Sequence, residues 1–170
     1  SRLTDRPLRP LFAKSLRNDV QVVVTVLSAD QENPPDILAI CGGSAALGIS
    51  NIPFGGPVAS VRVGYIDDKY VLNPTFTQLN RSRLDLVVAG TKDGVIMVEA
   101  GAKEVPEEVL LGALKFGQEA IQEVIKLQEQ LIQACGKPKL VFQEKELSSE
   151  LQETVSAIIR DKIGSGPIWK

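Results

Sequence analysis

The apolar positions change period several times along the chain, and each change marks an element. On a 3.6-residue period, residues 1–12 put Arg2, Arg6 and Arg9 on one face and Leu3, Leu8, Leu11 and Phe12 on the other. That pattern predicts a short basic helix ending near Phe12, opposed only by Pro7 and Pro10, which lack the N–H a helix uses. Residues 19–29, DVQVVVTVLSA, are rich in β-branched residues, and they predict a buried strand. The polar, proline-broken stretch 30–36 reads as a loop. Residues 37–49 are apolar throughout and of helical length, with Gly42-Gly43 and Ala45-Ala46 small enough for close packing on a sheet. Residues 51–57, NIPFGGP, predict a turn. Residues 58–66 and 70–72 predict a hairpin around Asp67, Asp68 and Lys69. A short helix follows at 75–82, then a second hairpin from 84–90 and 95–100 around 91–94.

The longest periodic stretch opens at Pro106, where a missing N–H costs nothing, with Glu107 and Glu108 at the positive end of the helix dipole. Its apolar stripe is Leu110, Leu114, Gly117, Ile121, Val124, Ile125, Leu131 and Ile132, and Gly136 with Lys137-Pro138 stops it. Residues 139–146 mix both charge signs and read as a linker. Ser148 opens a second amphipathic helix with Leu151, Val155, Ile158 and Ile159 on one face, and 164–170 reads as a frayed end. The order helix, strand, helix, hairpin, hairpin, long helix predicts an α/β (α+β) domain with helices packed on one sheet, followed by the start of something helical.

Composition removes function classes. With 44% hydrophobic and 24% charged residues and a net charge of -2, the chain is that of an ordinary folded domain, not a disordered or low-complexity one. No apolar run approaches the roughly 18 residues of a membrane helix. The N-terminus has no apolar signal core, and the only methionine is Met97, so a processed chain or a piece of a longer one is expected. Histidine is absent, which excludes imidazole bases and His-containing metal sites within the chain. Cys41 and Cys135 are too few for a structural zinc site and are expected to be buried, reduced thiols.

The candidate chemistry is therefore anion binding by arginine. Three guanidiniums in a row suit phosphate, because each planar fork can grip two oxygens. Residues 1–20 hold five basic and two acidic residues, so positive charge is concentrated there although the whole chain is acidic. A solvated face paired to Asp5 is the competing explanation. Asp67-Asp68 is a possible metal pair but more simply a solvated hairpin tip. Gly42-Gly43-Ser44 and Gly55-Gly56 complete no phosphate loop.

The strings SRLTDRPLRPLF, DVQVVVTVLSADQENPPDILAICGGSAALGISNIPFGGPVASVRVGYIDDKYVLNPT and SRLDLVVAGT resemble the polynucleotide phosphorylase family, and within it the first of two repeats of the ribonuclease PH fold. The resemblance runs from residue 1 to about 136 and more loosely beyond. It implies a ribonuclease-PH-like fold (ribosomal-protein-S5-domain-2-like) lacking its N-terminal strands over 1–138, and the start of an all-helical linker domain over 139–170. It implies a 3′-to-5′ phosphorolytic exoribonuclease that releases nucleoside diphosphates, with inorganic phosphate as co-substrate and Mg²⁺ held in a second repeat outside this chain. It further implies a homotrimeric ring, a single-stranded RNA 3′ end as partner together with proteins of an RNA-degradation complex, no DNA or membrane partner, and a cytoplasmic (bacterial or organellar) setting.

Residue by residue, the family's phosphate-cradling serines correspond here to Pro34, Pro35 and Asp36, and its acid, acid and lysine to Leu79, Asp85 and Val87. The resemblance thus implies no catalytic and no metal-binding residue in this repeat. Asp85 is left as a relic or a structural hydrogen-bond acceptor. Arg2, Arg6 and Arg9 match the family's RLxDRPxRPLF element, which implies RNA contact, foremost for Arg9, unless one of them is taken up by Asp5. A non-catalytic ring subunit and a stand-alone ribonuclease PH are the alternatives.

Overall fold

The computed structural model describes residues 2–141 and 148–163. They form two compact units, the first of residues 2–13 and 18–141, the second of α5 (Ser149–Ile163) with residues 14–17. The first unit is built on one antiparallel sheet in the order β2-β1-β3-β4, from β1 (Ala59–Ile66), β2 (Lys69–Leu72), β3 (Leu84–Gly90) and β4 (Val95–Ala102). The helices are α1 (Arg2–Leu8), continued by a 3-10 turn at Arg9–Leu11, α2 (Asp36–Ile49), α3 (Phe76–Arg81) and α4 (Glu107–Cys135).

Both hairpins form where the sequence puts them. Asp67 and Asp68 alone bridge Ile66 and Lys69, both with positive φ, the geometry a two-residue loop needs to match strand twist. Thr75 caps α3 by accepting from the Gln78 N–H, while the Gln78 side chain accepts from Thr75.

The sheet is covered on both faces. Alternation turns Val61, Val63, Leu84, Leu86 and Val88 toward Ala113, Ile121 and Ile125 of α4. The opposite side turns Val87, Ala89 and Met97 toward Ile37, Ile40 and Leu47 of α2 and Leu8 of α1. α4 lies tight on the sheet at Gly117, where a Cβ would stand 3.0 Å from a Val88 methyl. α2 is fastened by buried polar groups. The Ser44 hydroxyl accepts from the Val58 N–H, and the Ser60 hydroxyl donates to the Ile37 carbonyl.

Four sequence expectations are corrected. Residues 19–29 form no strand and lie largely in solvent, with Val23 73% and Leu27 93% exposed. Their β-branched composition suits a strand, but a strand needs a partner edge, and they join none of the described strands. Gly43 packs against Leu8 and Thr4 of α1 and against Val22 rather than on the sheet, and Gly42 meets nothing. Leu131 in the α4 stripe is exposed, because a 29-residue helix runs about 43 Å and outreaches strands of about 26 Å. Cys41 is half-buried and Cys135, the last residue of its helix, is exposed; both are free thiols. Residues 142–146 of the stretch 139–146 read as a linker, and 164–170 read as a frayed end, lie outside the described residues.

Candidate nucleic-acid interface

α1 is a small basic platform with a buried underside. Pro7 and Leu8 are buried, Leu3, Leu11 and Phe12 pack on the second core cluster, and the Leu11 carbonyl accepts from the Gly55 N–H at 2.9 Å. Pro7 is accommodated because so short a helix loses only one internal hydrogen bond to it. The periodicity that buries the leucines leaves Arg2, Arg6 and Arg9 exposed.

Each arginine has a different neighbour. Arg2 makes no ion pair among the described residues. Arg6 Nη1 lies 3.0 Å from Glu99 Oε2 of β4, with both side chains about half exposed. Arg9 donates Nε to both Asp5 oxygens, at 3.1 and 2.9 Å, and Nη2 to Asp5 Oδ1 at 2.8 Å, while its side chain stays 76% exposed. Those hydrogen bonds hold the Arg9 proton more firmly than in a free guanidinium. Asp5 thus meets Arg9 at the surface without burying it. Exposed pairs of this kind are heavily screened by water and contribute little, so an incoming phosphate can replace either carboxylate at small cost.

A second charged group sits at the N-terminus of α2. Arg62 projects from β1 between two acids. Its Nη1 donates to both oxygens of Asp85 on β3, at 2.6 and 2.8 Å, and its Nη2 donates to Asp36 Oδ2 at 2.6 Å. Arg62 pairs in register with Val87, so Asp85 is its diagonal neighbour on the same face of the sheet. The Arg62 side chain is 12% exposed, those of Asp36 and Asp85 41% and 46%. Asn73, at a positive φ of 46°, fixes the strand there: its Oδ1 accepts from the Arg62 N–H and its N–H donates to the Arg62 carbonyl. Asp85 is therefore a structural hydrogen-bond acceptor.

Arg62 was not singled out by sequence. The available signal was a lone charge in the strand ASVRV, where the other positions are small or apolar on both faces. Its partners lie 26 and 23 positions away, beyond any local pattern.

These residues do not fit a divalent ion. Mg²⁺ takes oxygens at about 2.0–2.1 Å in near-octahedral array, and the space between Asp36 and Asp85 holds a guanidinium. Among the described residues no group of three or more His, Cys, Asp or Glu could hold a metal ion. Asp67 and Asp68 sit at their hairpin tip, met by Arg81 and by the Tyr65 hydroxyl.

Residues 1–53 match the model of a 3′ exoribonuclease family, domain 1, and residues 56–120 match its domain 2. The chain is 51% identical over 163 residues to the polyribonucleotide nucleotidyltransferase of Heliobacterium modesticaldum, covering 96% of this chain and 23% of that protein. It is 53% identical over 163 residues to the protein of the same name from Chloroflexus aggregans, covering 96% and 22%. The chain thus spans less than a quarter of the length of these relatives. The solved structure of rice (Oryza sativa) Rrp46 superposes with a TM-score of 0.54 at 17% identity over 60% of this chain and 49% of that one, a likeness of fold alone.

Proposed function

We propose, since the chain belongs to the 3′ exoribonuclease family, that it is part of a polyribonucleotide nucleotidyltransferase that shortens single-stranded RNA from its 3′ end by phosphorolysis and releases nucleoside diphosphates. Within it, this part holds RNA and helps to close a homotrimeric ring in the cytoplasm. Inorganic phosphate and Mg²⁺ do their work on residues outside this chain.

The observation that carries the RNA role is the row Arg2, Arg6 and Arg9, exposed on a helix whose other side is anchored in the core. A row of guanidiniums tracks a phosphate backbone without reading bases, which suits an enzyme that must pass every sequence. The non-catalytic role is supported by residue chemistry. Pro34 and Pro35 offer neither a hydroxyl nor an N–H, and Leu79 and Val87 cannot hold a metal or a phosphate.

The test is direct. The purified chain, given poly(A), phosphate and Mg²⁺, is expected to bind the RNA and to release no ADP. ADP release above a no-protein blank would refute the non-catalytic reading, and absence of RNA binding would refute the other half.

A further inference from the structure

Two carboxylates stand on the arginine row, and the fold does not need them there. α1 carries one acid, Asp5, and β4 carries one, Glu99, and each is committed to an arginine of the row. The contact rises along the row. Arg2 has no ion pair among the described residues, Arg6 gives one hydrogen bond to Glu99, at 3.0 Å, and Arg9 gives three to Asp5. The Arg9 contacts take up the Nε and Nη2 edge of the guanidinium, an edge by which a planar fork grips two phosphate oxygens. Neither pair seats the helix. The buried Pro7 and Leu8, the packing of Leu3, Leu11 and Phe12, and the Leu11–Gly55 hydrogen bond already do so. Water screens both pairs, so they add little to the fold. Their consequence falls instead on the anion that the row meets.

We propose that Asp5 and Glu99 are competitors of RNA: each occupies its arginine as a phosphate would, and together they set how firmly the row holds a strand. The competition rests on the reading that the row binds RNA, and it adds how that hold is regulated. A carboxylate and a phosphate both present paired oxygens to a guanidinium, so a phosphate exchanges with the carboxylate rather than adding to it. The net attraction is then a difference between two similar contacts. An RNA that is shortened nucleotide by nucleotide must leave each arginine and be gripped again one phosphate further on. A carboxylate waiting beside the guanidinium lowers the cost of each departure. The effect is graded, because Asp5 holds its arginine by three hydrogen bonds and Glu99 by one.

The experiment measures, by fluorescence anisotropy at low salt, the affinity of a single-stranded oligoadenylate for the wild-type chain and for Asp5→Asn, Glu99→Gln and Asp5→Glu. Circular dichroism first establishes that each is folded. Asp5→Asn is expected to bind about threefold more tightly than wild type, and Glu99→Gln by a smaller factor. Both gains should shrink as salt screens the charges. Asp5→Glu, which keeps a carboxylate one turn from Arg9, is expected to stay near wild type. Each gain must also pass through the named arginine, which a double-mutant cycle reads out. Asp5→Asn is expected to add nothing in an Arg9→Gln background, and Glu99→Gln nothing in an Arg6→Gln background. Glu123→Gln, at a similarly exposed pair on α4 across the sheet, controls for net charge. An equal gain in Glu123→Gln, or gains that persist without the partner arginines, would overturn the competition. Unchanged or weaker binding by Asp5→Asn and Glu99→Gln would overturn it too. Those outcomes leave the RNA reading intact provided that wild type binds and Arg6→Gln and Arg9→Gln weaken it. A wild-type chain that does not bind the oligoadenylate would sink the RNA reading and the competition with it.

Discussion

Arg62 and the arginines of α1 place the same side chain in opposite circumstances. Arg62 has been drawn out of water, with its Nη groups committed to carboxylates at 2.6–2.8 Å and its backbone clasped by Asn73. Arg9 also has a carboxylate at 2.8 Å, yet three quarters of its side chain remains in solvent. Distances alone do not separate them; burial does. A buried pair cannot be exchanged for a ligand without leaving an uncompensated charge, whereas an exposed pair exchanges almost freely. One group of arginines is therefore part of the fold and the other is available to a partner.

The contrast can be broken by stability measurements. Arg62→Ala is expected to lower unfolding free energy by about 2–3 kcal/mol in urea titrations. That is below the ~3–5 kcal/mol of a fully buried pair because both acids keep contact with water. A loss under about 0.5 kcal/mol would put Arg62 with the surface pairs and dissolve the distinction.

Lys139 offers an intermediate case. Its Nζ donates to the carbonyls of Leu47, Gly48 and Ser50 at 2.9, 2.8 and 2.7 Å, capping the end of α2, and loss of water there pushes its pKa below the ordinary lysine value. Lys139→Ala is expected to cost about 1 kcal/mol, and amide exchange should rise first near the C-terminus of α2. Protection unchanged at Gly48 and Ser50 would remove Lys139 from the cap.

Arg6→Gln and Arg9→Gln should each lose far less stability in urea than Arg62→Ala, as expected for exposed pairs. A larger loss for either would mean that the α1 arginines are structural after all.

The smallest effect concerns Asp30. Its carboxylate accepts the N–H groups of Asn33 and Glu32, which holds its pKa below the ordinary carboxylate range. A depressed folded value means that the stabilisation is present above the unfolded carboxylate pKa and is lost as pH falls through the folded one. Asp30→Asn should therefore flatten a small part of the acid-side decline in melting temperature. Parallel curves for the two proteins would exclude that contribution.

Much of the fold was legible because its signals are local. The apolar run of helical length at 37–49 and the paired aspartates of the first hairpin specify structure within a few residues. The exposed arginine row was legible for the same reason. The failures depend on distant partners. The stretch 19–29 carries strand propensity, but whether it becomes a strand depends on an edge that local sequence does not supply. Asp85 could be read only as a relic or an acceptor until Arg62 was seen beside it, and the role of Asp36 depends on the same side chain.

In the proposed function, the α1 arginines hold RNA through its phosphates. The most direct measurement is the salt dependence of single-stranded oligoadenylate binding, comparing the chain with a triple variant carrying Arg2→Gln, Arg6→Gln and Arg9→Gln. With about 0.7 of slope per phosphate contact in single strands, the variant's log–log slope should be shallower by about one to two and its affinity lower at every salt concentration. An unchanged slope and affinity would contradict the claim.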